Sequence, residues 1–217
     1  TDQSVACWYR SDGVVGIWWC AGRGPWPGPK GRLLQYTTLR EVALNVVRRN
    51  GSLLGVRKEL RDDKEIILIA VQRHGSSLQY ASDRLKDDRE IVLTAIQENG
   101  LALELASKRL RDDKEIVLIA IQQNKEAVTL KYASDRLKDD FDVVLIAVQQ
   151  NKEALRFASN RLKDNKEIVL AAVKNNAFAL EYASDILKDD KEVVLTAVKN
   201  QAFSLQHASD RLKNDKE

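Results

Sequence analysis

The chain repeats itself about every 25 residues, and no other feature constrains its fold as tightly. An Asp-Asp pair is the mark. It recurs at Asp62-Asp63, Asp87-Asp88, Asp112-Asp113, Asp139-Asp140, Asp164-Asn165, Asp189-Asp190 and Asn214-Asp215, with two extra residues inserted near Val128-Thr129. A degenerate earlier copy starts near Thr37 and carries Asn50-Gly51 where the next has His74-Gly75. A period of this size points to an array of small units, each too short to bury a core alone.

Each unit reads as two short helices. The first is predicted to begin on Asp62, Asp87, Asp112, Asp139, Asp164 and Asp189 as structural caps, with an acid three residues on, as Glu65 follows Asp62. That is the pattern of a capping box. Apolar residues follow at helical spacing, as in Ile168, Val169, Ala172 and Val173. The helix is expected to stop at Asn or Gly, residues that tolerate the left-handed conformation. A second helix carries Leu180, Ala183 and Leu187 on one stripe, with Tyr182 beside them. Ala70, Ala95, Ala120, Ala147, Ala172 and Ala197 hold one place in every full unit, which reads as close helix–helix approach.

Neither helix reaches the ~12–15 residues needed for marginal stability in isolation. Stacking must therefore supply it. The expected fold is all-α: a right-handed-type α-solenoid of about seven 25-residue helix-turn-helix units over residues 33–217. A Trp-, Gly- and Pro-rich segment, residues 1–32, precedes it as an irregular stretch or a β-hairpin around Asp12-Gly13, followed by a linker.

Charge is uneven. Residues 1–61 hold ten Lys/Arg against four Asp/Glu, a balance of +6; the remaining twenty-five and twenty-eight give the array −3. A mildly acidic array lacks the basic stripe of a nucleic-acid binder. No run of 18 apolar residues is present, so no transmembrane helix is expected. The sequence has no Met and closes on the cap of another helix, Asn214 to Glu217, so a longer natural protein is expected. A lost targeting segment goes with that expectation.

Candidate contact residues lie at the two ends. Trp8, Trp18, Trp19 and Trp26 are the only tryptophans. They read as a partner anchor, as a cap on the first helices, or as part of a poorly ordered tail; Trp is enriched at interface hot spots. Arg84, Arg109, Arg136, Arg161 and Arg211 recur at equivalent places and are interrupted by Ile186. They read as a ligand-facing ladder or as partners of the Asp residues three or four positions on. Ile186, with Phe178 and Phe203, forms either an exposed patch or a surface buried by a following unit. Arg48-Arg49, Arg57-Lys58 and Arg61 read as solvated helix ends or as a contact for phosphate or anionic lipid.

Catalytic constellations are missing from the sequence. His74 and His207 stand too many units apart to meet, and no metal-ligand spacing or phosphate-cradling loop is present. Cys7 and Cys20 are not opposite each other in either hairpin register, so free thiols and reducing surroundings are expected. No enzyme activity, cofactor or metal is expected.

The strings KDDKEIVLxAVxxN and ALxYASDRLKDD resemble the DUF4116 repeat, a helical module of about 50 residues. The resemblance covers about residues 60–217, is weak in the first unit and does not extend to residues 1–32. It implies a tandem array found in unicellular algae, other protists and some bacteria, with no assigned chemistry. From it follows the expectation of a non-catalytic scaffold for protein–protein contacts, a peripheral or linker subunit of a larger assembly. An algal photosystem–antenna complex is the example that the family's distribution suggests, with intracellular, soluble or peripheral placement and a plastid address. Membrane association would then come only through the assembly. The alternatives are a nucleic-acid-binding helical repeat protein and the targeting module of a longer effector. Near-uniform units and apolar variable positions such as Ile69 and Ile119 argue against a base-reading code.

Overall fold

The computed structural model describes residues 5–11, 14–20, 39–51, 58–123, 129–151 and 153–214. Strands β1 (Val5–Ser11) and β2 (Val14–Cys20) pair antiparallel from Val5↔Cys20 to Ser11↔Val14. This is the register of a two-residue connection. It sets Cys7 opposite Trp18, so the two cysteines are not cross-strand partners. Trp8 and Trp19 face Ile17 and Ala6 across the ladder, while Trp26 lies outside the described residues.

From Leu39 onward the secondary-structure elements of the described residues are all helical. A first helix, α1 (Leu39–Asn50), ends at Gly51, whose φ of 67° is left-handed. A Cβ there would meet the Arg73 and His74 side chains within 2.8 Å, so glycine is required twice over. The long helices of the units are α2 (Lys64–Arg73), α4 (Arg89–Glu98), α5 (Lys114–Gln123), α8 (Phe141–Gln150), α10 (Lys166–Asn175) and α12 (Lys191–Asn200).

Among the described residues, each unit from α2 onward has three helical segments rather than the two predicted. After the long helix α10 comes a 3₁₀ helix, Ala177–Tyr182, and then a separate one-turn helix, α11 (Asp185–Lys188). The other one-turn helices are α3 (Asp83–Lys86), α7 (Asp135–Lys138), α9 (Asn160–Lys163) and α13 (Asp210–Lys213), with α6 (Thr129–Tyr132) in place of a 3₁₀ segment. The break has a local cause. Ala183 and Ser184 are extended, and the Ser184 hydroxyl caps α11 by accepting the Leu187 N–H. A serine that caps cannot continue the helix before it.

The predicted caps are displaced by one residue. Asp63, Asp88, Asp140, Asn165 and Asp190 cap the long helices, not Asp62, Asp87, Asp139, Asp164 and Asp189. In the same way Asp113 rather than Asp112 accepts the Glu115 and Ile116 N–H groups. Glu65 therefore stands two residues past its cap and turns to Arg40 and Arg48 instead of reaching back. The predicted left-handed stops are also absent at Asn99, Asn151 and Asn176, all extended. Their side chains accept N–H groups of the segment that follows, as Asn99 does from Leu101.

Successive long helices pack on one another in chain order, and the 3₁₀ segments do the same beside them. Each of α2, α4, α5, α8 and α10 buries a quartet such as Ile66, Ile67, Ala70 and Val71, and α12 buries Val193, Val194 and Ala197, while Leu78 and Leu85 close the unit from the other side. The recurrent alanines are all 3% exposed or less. One continuous core thus runs from Ala43 to Leu212.

Candidate protein-contact surface

The recurring polar residues form joints between units. Ser82 donates its N–H to the Arg61 carbonyl of the preceding unit at 3.0 Å and its hydroxyl to the Asp62 carboxylate. The same hydroxyl accepts the Leu85 N–H, so one serine caps its own short helix and ties it to the unit before. Arg84 completes the joint: Nε lies 3.0 Å from the Asp62 carboxylate and Nη2 2.8 Å from the Asp62 carbonyl. The pattern returns at Asp87–Ser107–Arg109, Asp112–Ser134–Arg136, Asp139–Ser159–Arg161 and Asp189–Ser209–Arg211.

The arginines therefore reach backward to the preceding unit, which corrects the expected pairing with Asp residues three or four positions on. The serine hydroxyls, and then the guanidinium groups, hold Asp62, Asp87, Asp112, Asp139 and Asp189 below the usual carboxylate range. The serines lie in joints and, among the described residues, face carboxylates rather than a base.

A second ladder runs along the long helices. The first residue of α2, α4, α5 and α10 is a cation that bridges two acids of the next unit. Lys64 reaches Asp88 and Glu90, and Lys166 reaches Asp190 and Glu192, each at 2.8 Å. Arg89 pairs with Asp113 and Glu115, and Lys114 with Asp140 and Asp142. Burial pushes Asp88 up, but the Lys64 ammonium and the helix N–H groups outweigh it and leave it low. Where α8 starts on Phe141 instead of a cation, the next cap is the neutral Asn165. The cation and the carboxylate of the cap are lost together, while the second acid of the rung, Glu167, is kept and is exposed to solvent. Sequence reading missed this coupling, although the two departures from the repeat were visible as a pair.

A third tie closes helix ends. Asn175 donates Nδ2–H to the Val148 carbonyl at 2.9 Å, and Asn200 does the same to Val173 at 3.1 Å. Each satisfies a terminal carbonyl of the preceding long helix. At the N-terminal end, Arg40 and Arg48 are tied to Asp63 and Glu65, which accounts for part of the basic residues there.

Among the described residues, large apolar side chains are exposed at Val46 in α1 and at four places toward the C-terminal end. Phe203 is 79% and Ile186 71% exposed. Leu195 and Leu205 are exposed too, although Leu180, the counterpart of Leu205, is fully buried by the unit that follows it. Phe178 is half-buried, edge-on to His207 with ring centroids 6.1 Å apart. It belongs to the joint rather than to the exposed set. Between α8 and α10 lies a groove of ≈ 800 Å³ lined by Leu145, Leu170, Ala171 and the stems of Lys166 and Lys174. Among the described residues there is no group of His, Cys, Asp or Glu fit to hold a metal ion, and no helix is long and apolar enough to cross a membrane.

A family model described as "Domain of unknown function (DUF4116)" matches the chain over residues 40–86, 88–138, 128–163, 140–188 and 190–217. The longer matches each take in two of the units described above. No curated protein and no solved structure matches the chain.

Proposed function

This chain belongs to the DUF4116 family of tandem helical repeats, and on that premise we propose that it is a non-catalytic α-solenoid scaffold that binds other proteins. About seven units stacked through Asp–Ser–Arg joints make a stiff rod. Such rods bind through extended surfaces formed by many repeats at once. The observation that carries the reading is the run of near-identical units packed on one continuous core from Ala43 to Leu212, with the apolar Ile186 71% exposed along it.

Its place is that of a peripheral or linker subunit, contributing shape rather than chemistry. The expectations of a photosystem complex and a plastid address rest on the family's distribution alone.

The test is size fractionation of the native chain from a gentle lysate, with mass spectrometry of each fraction. The scaffold reading expects the chain in one large complex, and its release when Phe203→Ser and Leu205→Ser are combined. Migration as a lone monomer contradicts it.

A further inference from the structure

One joint is incomplete. Between the units that meet at Asp164, the Ser184 hydroxyl still donates to the carboxylate, and the Ser184 N–H still donates to the Lys163 carbonyl at 2.9 Å. The guanidinium is gone, because Ile186 stands where the neighbouring joints have Arg161 and Arg211. Ile186 does not fold over the vacancy; it is 71% exposed. Asp164 is itself exposed, while Asp139 and Asp189, under their arginines, are partly covered. Among the described residues no other cation takes the missing place.

The neighbouring joints show which chemistry the vacancy accepts. Arg211 sets Nε 2.9 Å from the Asp189 carboxylate and Nη2 2.8 Å from the Asp189 carbonyl. Two acceptors at a fixed separation suit a planar guanidinium and not the point charge of a lysine. An exposed ion pair alone contributes little. The isoleucine at its side adds apolar contact that the closed joints lack.

We propose that Asp164 and Ile186 form a docking notch for an arginine next to an aliphatic residue on a partner protein, which supplies in trans the guanidinium that the other joints supply in cis. This rests on the scaffold reading and names the partner's chemistry at one place.

The probe is a phage-displayed library of random 12-residue peptides selected on the full chain. The notch predicts enrichment of peptides with Arg beside Leu, Ile or Val. Their synthetic forms should bind at least tenfold more weakly to the Asp164→Asn and Ile186→Arg proteins, and to wild type when their Arg is replaced by Lys. Ile186→Arg should also raise Tm, because it closes the joint from within. Enriched peptides that bind Ile186→Arg as well as wild type overturn the notch. Enriched peptides that lose affinity only with Phe203→Ser and Leu205→Ser also overturn it and leave the scaffold reading standing. Failure to enrich arginine overturns the notch as well, while the scaffold reading is decided separately by the size fractionation.

Discussion

Arg136 reaches 24 residues back along the chain to hold Asp112, with Nε 3.0 Å from the carboxylate and Nη2 2.6 Å from the carbonyl. The contact spans the insertion that lengthens this unit, so the joint survives a change of loop length. The array is held by the geometry of the joint and not by a fixed count of residues between joints.

The serine should matter more than the arginine. Ser134 caps α7 and donates to Asp112 at once, while the Arg136 side chain is 62% exposed. Ser134→Ala is expected to cost about 1 kcal/mol, the usual effect of losing a helix cap. Arg136→Ala should cost less, as exposed ion pairs do. Urea denaturation of the two variants checks the order; a larger loss for the arginine variant would contradict it.

Core substitutions should be far more costly. Leu137 is fully buried at the centre of the array, and Leu137→Ala is expected to destabilise by about 2–5 kcal/mol. Ala120 is also fully buried, and Ala120→Leu should cost about 1–3 kcal/mol by overpacking the contact between long helices. Thermal unfolding followed by circular dichroism measures both.

Acid should loosen the joints. Five joint carboxylates titrate below their usual value because hydroxyl and guanidinium donors favour the ionised form. The unfolded chain then binds more protons than the folded one through the acid range. Their contribution is complete above about pH 4 and is lost as pH falls through the depressed values. A Tm that is level near neutrality and drops below about pH 4 is expected. A drop already complete at pH 6 would point to other groups.

The repeat period, the all-helical array and the buried alanines were legible in the sequence, because apolar spacing and recurrence report packing directly. The position of the cap was not. Two adjacent aspartates look alike in a sequence, and only the backbone decides that Asp63 caps the helix while Asp62 turns to Ser82. The third segment was hidden for a similar reason: Tyr-Ala-Ser-Asp continues a helical apolar stripe, yet the serine starts a new helix within it. The arginine ladder was read as local because its partners lie 22 or 24 residues away, beyond helical spacing. The signal that could have found it was recurrence itself, since Asp, Ser and Arg keep their order and near-constant offsets in every joint but the one with Ile186.

Shape gives a further check. A compact domain of 217 residues has a radius of gyration of about 17 Å. Small-angle scattering should return a clearly larger value for a stacked array, and a compact value would contradict the solenoid.

Crosslinking mass spectrometry on the native complex tests the central claim most directly. Lys174, Lys199 and Lys213 are exposed and lie in the same last two units as the apolar side chains assigned to partner contact. The scaffold account predicts that these lysines crosslink to one other protein, and that the crosslinks vanish with Phe203→Ser and Leu205→Ser while Tm is unchanged. Crosslinks confined to the chain itself would contradict it.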